Sequence, residues 1–547
     1  MGAQPPAPAA RELPRTHAPK PTTAAIDEQD LMTRLYIFAD DSMQGRATGT
    51  EGYRKGTDYI AAELRRLGLQ PAGTNGSYFQ SLPSRTVGAA SRLAVGDAPL
   101  ALWSDVVPLL GAAAPRAFDG AGVVFGGDLA AYTAQNATPP LAAEQVRGKV
   151  VALRAAPGAS TSSFAMRNLV AGPLAGAAAI AVVLAEPLAP NALAQARRAS
   201  MGAGRAGDVP YVMLVAPSAG ARLLGADPAT LQAGASGPAV RGAIVVESGE
   251  NDAARNVVAV FPGSDPALKG QYVALGAHAD HVGFNSRPVD HDSLRAFNAR
   301  AWQLRGASND PRPMTPELRS QVSIDLDSLR RARPARPDSI SNGADDDGSG
   351  SMALLEIAES FAQGREKPKR SVLFVWHVAE ELGMVGSTYY TDNPTVPLDS
   401  IVAQVNIDMI GRGTASDLAD GGPGYVTVVG SRRLSNGLGD LVEQVSRDRK
   451  HDLKFDYGMD ADGHPQNIYC RSDHRSYARF GIPIVFFFTG LHGDYHQVTD
   501  EPQYIAYPNY SRLTNYIRDL TLAIAERPSR FTLNGPKPTD PNAPCRQ

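Results

Sequence analysis

Four runs of the chain are apolar without alternation: residues 272–277, 371–378, 401–407 and 482–489. They are rich in Val, Ile and Phe, the pattern of strands buried on both faces. Between them the period lengthens to that of a helix. In residues 349–362, Leu354, Ile357, Ala358 and Phe361 share a face, and Gly364 follows as a stop. Strands alternating with helices predict an α/β fold, with a central mixed, mostly parallel sheet flanked by helices. Upstream, one helix begins near Ile26. A second follows Thr48, with Tyr53, Thr57, Ile60, Ala61 and Leu64 at helical spacing. Thr48 and Glu51 are its expected capping box and Gly68 its end.

Residues 110–248 have another texture. They are rich in Ala and Gly and carry short β-like runs at 121–125, 149–153, 179–184 and 209–215, with no dense set of His, Asp and Glu. This predicts a β-rich domain inserted into the α/β domain, which would then comprise residues 25–109 and 249–527. Residues 287–335 interrupt the α/β pattern with an Arg-rich segment able to form one or two amphipathic helices beside the site entrance. A solvated surface excursion is the favoured reading of it, ahead of a substrate-binding role. Residues 1–24 are Pro- and Ala-rich and read as a disordered tail, and residues 528–547 as an irregular one.

The chain has 547 residues and a formal net charge of −3. That balance lacks the positive field of a nucleic-acid binder. No apolar run reaches the ~20 residues of a membrane span. The first residues show no apolar core of a signal peptide. Two cysteines, Cys470 and Cys545, exclude a disulfide scaffold and a Cys-rich zinc module, and leave open whether they pair.

The apolar runs lead into groups that bind metals. The first ends in GAHADH, giving His278, Asp280 and His281. The second leads to VAEELG, with Glu380 and Glu381. The third leads to NIDMIGR, with Asp408. The fourth leads to GDYHQVTD, with Tyr495, His496 and Asp500. Between the first two, NGADDDGSG places Asp345, Asp346 and Asp347 before a helix. In open α/β sheets ligands bind beyond the carboxyl ends of strands. Each signal alone is weak, but such groups at the ends of buried strands are costly unless compensated. Asp346, Glu381 and Asp408 as ionised ligands, with neutral His278 and His496, balance two divalent ions and a bridging hydroxide. A mixed imidazole–carboxylate set suits zinc better than calcium or magnesium.

At this point the chain resembles the di-zinc aminopeptidases of peptidase family twenty-eight, clan MH, the group of the bacterial leucyl aminopeptidases. The matching stretches include SMQGRATGTEGYRKGTDYIAAELRRLGLQPAG, VALGAHADHVG, NGADDDGSG, VWHVAEELGMVGSTYY, VNIDMIGR and SDHRSYARFGIPIVFFFTGLHGDYHQVTDEP. The resemblance implies a zinc-exopeptidase fold and two Zn²⁺ ions bridged by Asp346. His278 and Asp408 would complete one ion's ligands, and Glu381 and His496 the other's. It further implies Glu380 as general base, Asp280 as the group orienting His278, Tyr495 as a donor to the developing oxyanion, and a cis Asp346–Asp347 peptide. The inserted segment resembles a protease-associated domain. Peptide or protein N-termini are the implied substrates, and a secreted or periplasmic location is implied by the family's habit of export. Carboxypeptidase or glutaminyl cyclase chemistry, or a non-catalytic receptor-like module, are the alternatives on the same fold.

Overall fold

The computed structural model describes residues 13–547 except 110–115, 134–137, 160–168, 171, 173, 189–192, 194–195, 198–199, 202–209 and 544. The chain divides into two compact units. One comprises Met1–Ser81 with Asp252–Gln547, and the other Leu82–Asn251.

In the first unit, Asp27 caps α1 (Glu28–Phe38) through the N–H of Asp30, and Leu31, Leu35 and Phe38 are buried. Helix α2 (Glu51–Arg66) buries Tyr53, Thr57, Ile60, Ala61 and Leu64, the face read from the sequence. Its cap, however, is Thr50, not Thr48. The Thr48 hydroxyl instead donates to Asp280 Oδ2 at 2.9 Å, so a group expected to start a helix supports the site.

The strands are β1 (Val246–Phe261), β2 (Tyr272–His278), β3 (Gly283–Asp290), β4 (Pro337–Ser341), β5 (Ser371–His377), β6 (Ile401–Ile407), β7 (Tyr425–Val429), β8 (Lys454–Asp456) and β9 (Ile484–Phe488). Seven strands of the ten-stranded central sheet run in the order β8–β7–β9–β6–β2–β5–β1. Strand β2 is parallel to β5, with His278 opposite His377, and parallel to β6. Strand β6 is parallel to β9, whereas β1 and β7 pair antiparallel with β5 and β9. The mixed, mostly parallel sheet is therefore present, and β5, β6 and β9 are buried at every position.

Helix α4 follows α3 (His291–Leu304) and runs Gly350–Gln363. It is buried all round from Gly350 to Phe361, not on one face alone. Its inward Glu356 and Glu359 carboxylates both pair with the buried guanidinium of Arg34 on α1, which is how polar residues are accommodated there.

Two sequence expectations need correction, and a third, the irregular tail, holds. Residues 13–24 are not a free tail, because Thr22 donates to Glu359 and Thr23 to Asp30; residues 1–12 lie outside the described residues. The 528–547 tail is irregular but tied down: Cys545 is disulfide-bonded to Cys470, and Gln547 accepts from the Tyr469 N–H. The Arg-rich 287–335 segment forms α3 and two short helices, Pro316–Ser320 and Leu326–Ala332. It is not a purely solvated excursion. Trp302 is buried and donates to the Asp417 carbonyl, and Asn309 accepts from the Leu491 N–H at 3.1 Å.

The second unit is a β-rich domain, as expected, but it starts at Leu82 rather than residue 110. Strands Arg92–Val95 and Val106–Leu109 belong to its sheet through the pairs Leu93–Gly242 and Val107–Leu214. Its core is apolar, built on Val150, Ala152, Ala179, Ala181 and Met213. Part of the expected 209–215 strand, Val209, lies outside the described residues.

Candidate metal centre

Strands β2, β5, β6 and β9 send their carboxyl ends to one edge of the sheet, and the candidate residues gather there. Asp346 stands at the middle. Its Oδ1 is 3.1 Å from His278 Nε2, which is 3.6 Å from Asp408 Oδ1. Its Oδ2 is 3.0 Å from His496 Nε2, itself 3.0 Å from Glu381 Oε2. Two groups result: His278, Asp346 and Asp408, and His281, Asp346, Glu381 and His496. Ligand atoms on ~2.0–2.1 Å bonds around a tetrahedral zinc lie roughly 3.3 Å apart, so the spacings fit such ions.

The hydrogen bonds support that fit. Asp346 Oδ2 and His496 Nε2 are buried and close, yet neither has a hydrogen-bond partner of acceptable geometry, and the same holds for His281 Nε2. His278 Nδ1 lies 3.0 Å from the Asp280 carbonyl, which can only accept. That bond fixes the tautomer and leaves Nε2 as a lone-pair donor facing Asp346 and Asp408. The site also calls for positive charge. Burial opposes charge on His496, but Asp346 and Glu381 override it and push its pKa up to about 11. Burial likewise disfavours a charged His278, and Asp408 and Asp346 outweigh it. Cations would meet the same demand.

The three adjacent aspartates have separate tasks. Asp345 Oδ1 accepts from Gly411 N–H at 2.6 Å and the Ser349 hydroxyl at 2.9 Å, and its Oδ2 lies 3.2 Å from His492. Asp347 accepts from the backbone N–H groups of His278, Met409 and Gly350 at 3.0, 3.1 and 2.9 Å. It thereby ties the ends of β2 and β6 to the start of α4. Of the three, only Asp346 faces the imidazoles of both groups. Its N–H donates to Asp500, and the Asp346–Asp347 peptide is cis. Gly343 precedes the run with φ +56°; a Cβ there would meet the Asp346 carbonyl at 2.3 Å and the His281 ring at 2.5 Å.

Asp280 sits beside His278, but its carboxylate is 3.7 Å from His278 Nδ1. Asp280 orients His278 through its backbone carbonyl, which holds the ring, while its carboxylate accepts from Thr48 and from the Glu380 N–H at 3.2 Å. Glu380 lines a cavity with Asp346, Asp408 and Tyr495. Burial pushes its carboxyl well above the usual range, and Glu381 and Asp408 add to that. The Tyr495 ring stacks on His496 with centroids 3.9 Å apart, and burial keeps its hydroxyl protonated.

Sequence reasoning missed Ser472 and Arg46 as parts of the site, and it named His281 and Asp500 at the strand ends without giving either a role. Ser472 donates to Asp408 Oδ2 at 2.7 Å. The buried Arg46 guanidinium donates to the carbonyls of Ala279, Asn342 and Gly343, fixing both ligand-bearing loops. Adjacency to the motifs HADH, RSDH, QVTD and MQGR was the available signal.

A mixed α/β sheet whose strand ends carry two adjoining metal-binding groups on one shared carboxylate defines the class of protein. Residues 256–521 match the model of peptidase family M28, and this part of the chain belongs to that family. Over 169 residues the chain is 31% identical to leupeptin-inactivating enzyme 1 of Streptomyces exfoliatus, covering 30% of this chain and 33% of that one. Over 153 residues it is 34% identical to an aminopeptidase of Pseudomonas aeruginosa (strain UCBPP-PA14), covering 28% of this chain and 26% of that one. The matches thus span a third or less of the length of these curated relatives. Among solved structures, an aminopeptidase from Aneurinibacillus sp. strain AM-1 is similar over 94% of this chain and 97% of its own, at 16% identity and TM-score 0.47.

Proposed function

We propose that the chain is a metal-dependent exopeptidase that removes the first residue of a peptide, with two zinc ions held around Asp346. The observation that carries this reading is the division of Asp346, one oxygen toward His278 and the other toward His496. His278 and Asp408 would hold one ion, and Glu381 and His496 the other, with His281 a further donor on the second side. Such a pair, when bound, lowers the pKa of water and polarises the scissile carbonyl.

The chain's own groups do the rest. Glu380, held by the bond from its N–H to Asp280, takes the proton of the attacking water and returns it to the departing amine. Tyr495, protonated, donates to the oxygen on which charge develops. Cleavage at the amino end is supported by family membership and by the name of the Pseudomonas relative. The Cys470–Cys545 disulfide supports export to an oxidising compartment, which fractionation of the producing cells would test.

The central test is hydrolysis of aminoacyl chromogenic substrates and of peptides blocked at either end, with metal content measured alongside. Activity should vanish with a chelator, return with zinc, and be lost on N-acetylated peptides only. Activity that survives complete metal removal, or that requires a free carboxyl end alone, refutes the reading.

A further inference from the structure

The cavity beside Glu380 has apolar walls formed by Met409, Ile468, Phe486, Phe488 and Leu491. Arg471 is the one cation among the described residues that line it. Its position is set from both neighbours. Cys470 is bonded to Cys545, and Ser472 accepts from Asn406 at 2.8 Å while donating to Asp408 at 2.7 Å. The Arg471 side chain is exposed and engages only Gln466, at 3.2 Å to its side-chain oxygen and 3.4 Å to its carbonyl. Among the described residues no carboxylate pairs with it, whereas nearby Arg433 is paired with Asp460 and Arg412 with Asp417.

An unpaired planar guanidinium set into an apolar wall suits one chemistry, a carboxylate on an apolar stem. We propose that Arg471 determines substrate choice by pairing with a carboxylate carried by a residue next to the scissile bond. This rests on the peptidase reading above. Two sources share the chemistry: the side chain of an N-terminal Glu or Asp, and the free carboxyl group of a dipeptide's second residue. The apolar walls take up the methylenes of the first, and Arg471 its charge.

The test compares the zinc-loaded full chain with Arg471→Met, which keeps the stem and removes the charge. Rates are measured on N-terminal Glu against Gln substrates, and on dipeptides against their amides. Calorimetry measures binding of free L-glutamate against L-glutamine, a readout that needs no turnover. Wild type should favour the carboxylate of one of these pairs by about tenfold, the scale of a charge-assisted hydrogen bond, and Arg471→Met should bring that ratio near one. A collapse confined to the Glu/Gln pair identifies the side chain as the source, and one confined to the dipeptide/amide pair identifies the chain end. Wild type that hydrolyses nothing refutes the peptidase reading and this proposal with it, whereas wild type that hydrolyses peptides without preferring either carboxylate overturns this proposal alone. Ratios near one throughout in wild type, or equal in both proteins, overturn it.

Discussion

On one side of Asp346, His278 and Asp408 stand at the ends of the adjacent strands β2 and β6, and the His278 side chain is 1% exposed. The Asp280 carbonyl holds its ring, Ser472 holds Asp408, and Asp347 accepts from the backbone of both segments. On the other side Glu381 and His496 stand on loops, and the His496 side chain is 34% exposed. Its ring is backed by Tyr495, with no hydrogen bond of acceptable geometry at Nε2. The same donor types are thus set in a rigid half and an open half. Because supporting bonds govern how tightly a ligand set holds its ion, the rigid half should retain metal and the open half exchange it.

The largest effect comes from removing what the halves share. Asp346→Ala should lose both ions and all measurable hydrolysis; full zinc occupancy by elemental analysis would contradict its shared role. Next, Glu380→Gln should keep its metal content and lose roughly 10²–10⁴-fold in kcat, the usual contribution of a positioned acid–base. A variant with near-wild-type kcat would remove Glu380 from that role. Ser472→Ala should separate the halves, weakening one zinc affinity by about 10–100-fold and sparing the other. Chelator titration followed by competition checks this, and equal weakening of both sites would break the distinction.

The smallest effect concerns support behind the centre. Burial opposes charge on Asp417, but Arg412 at 2.7 Å overrides it and holds the carboxyl below its ordinary range. A depressed folded pKa gives stability that is present above the unfolded value of about 3.9 and lost as pH falls through the folded one. Melting temperatures from pH 7 to pH 3 should therefore fall more steeply below about pH 4 in wild type than in Asp417→Asn. Parallel curves would show that the pair is not linked to folding.

The same contrast explains what the sequence revealed. Strands β5, β6 and β9 were legible because burial on both faces leaves an unbroken apolar run, and their ends lead to Glu381, Asp408 and His496. The tasks of Asp345 and Asp347 were not legible. Several of their partners are backbone N–H groups, those of Gly411, Met409 and His278, which leave no side-chain pattern. The Thr48 cap was misplaced because Thr48 and Thr50 are equivalent locally and only the distant Asp280 distinguishes them. The 287–335 segment looked solvated because its arginines dominate its composition, whereas it is anchored by isolated residues such as Trp302 and Asn309.

Diffraction from zinc-soaked crystals at wavelengths on either side of the zinc absorption edge tests the central claim most directly. The account predicts two anomalous peaks roughly 3.5–4 Å apart, with Asp346 between them and the stronger peak beside His278 and Asp408. A single peak, or two peaks that Asp346 does not touch, would contradict it.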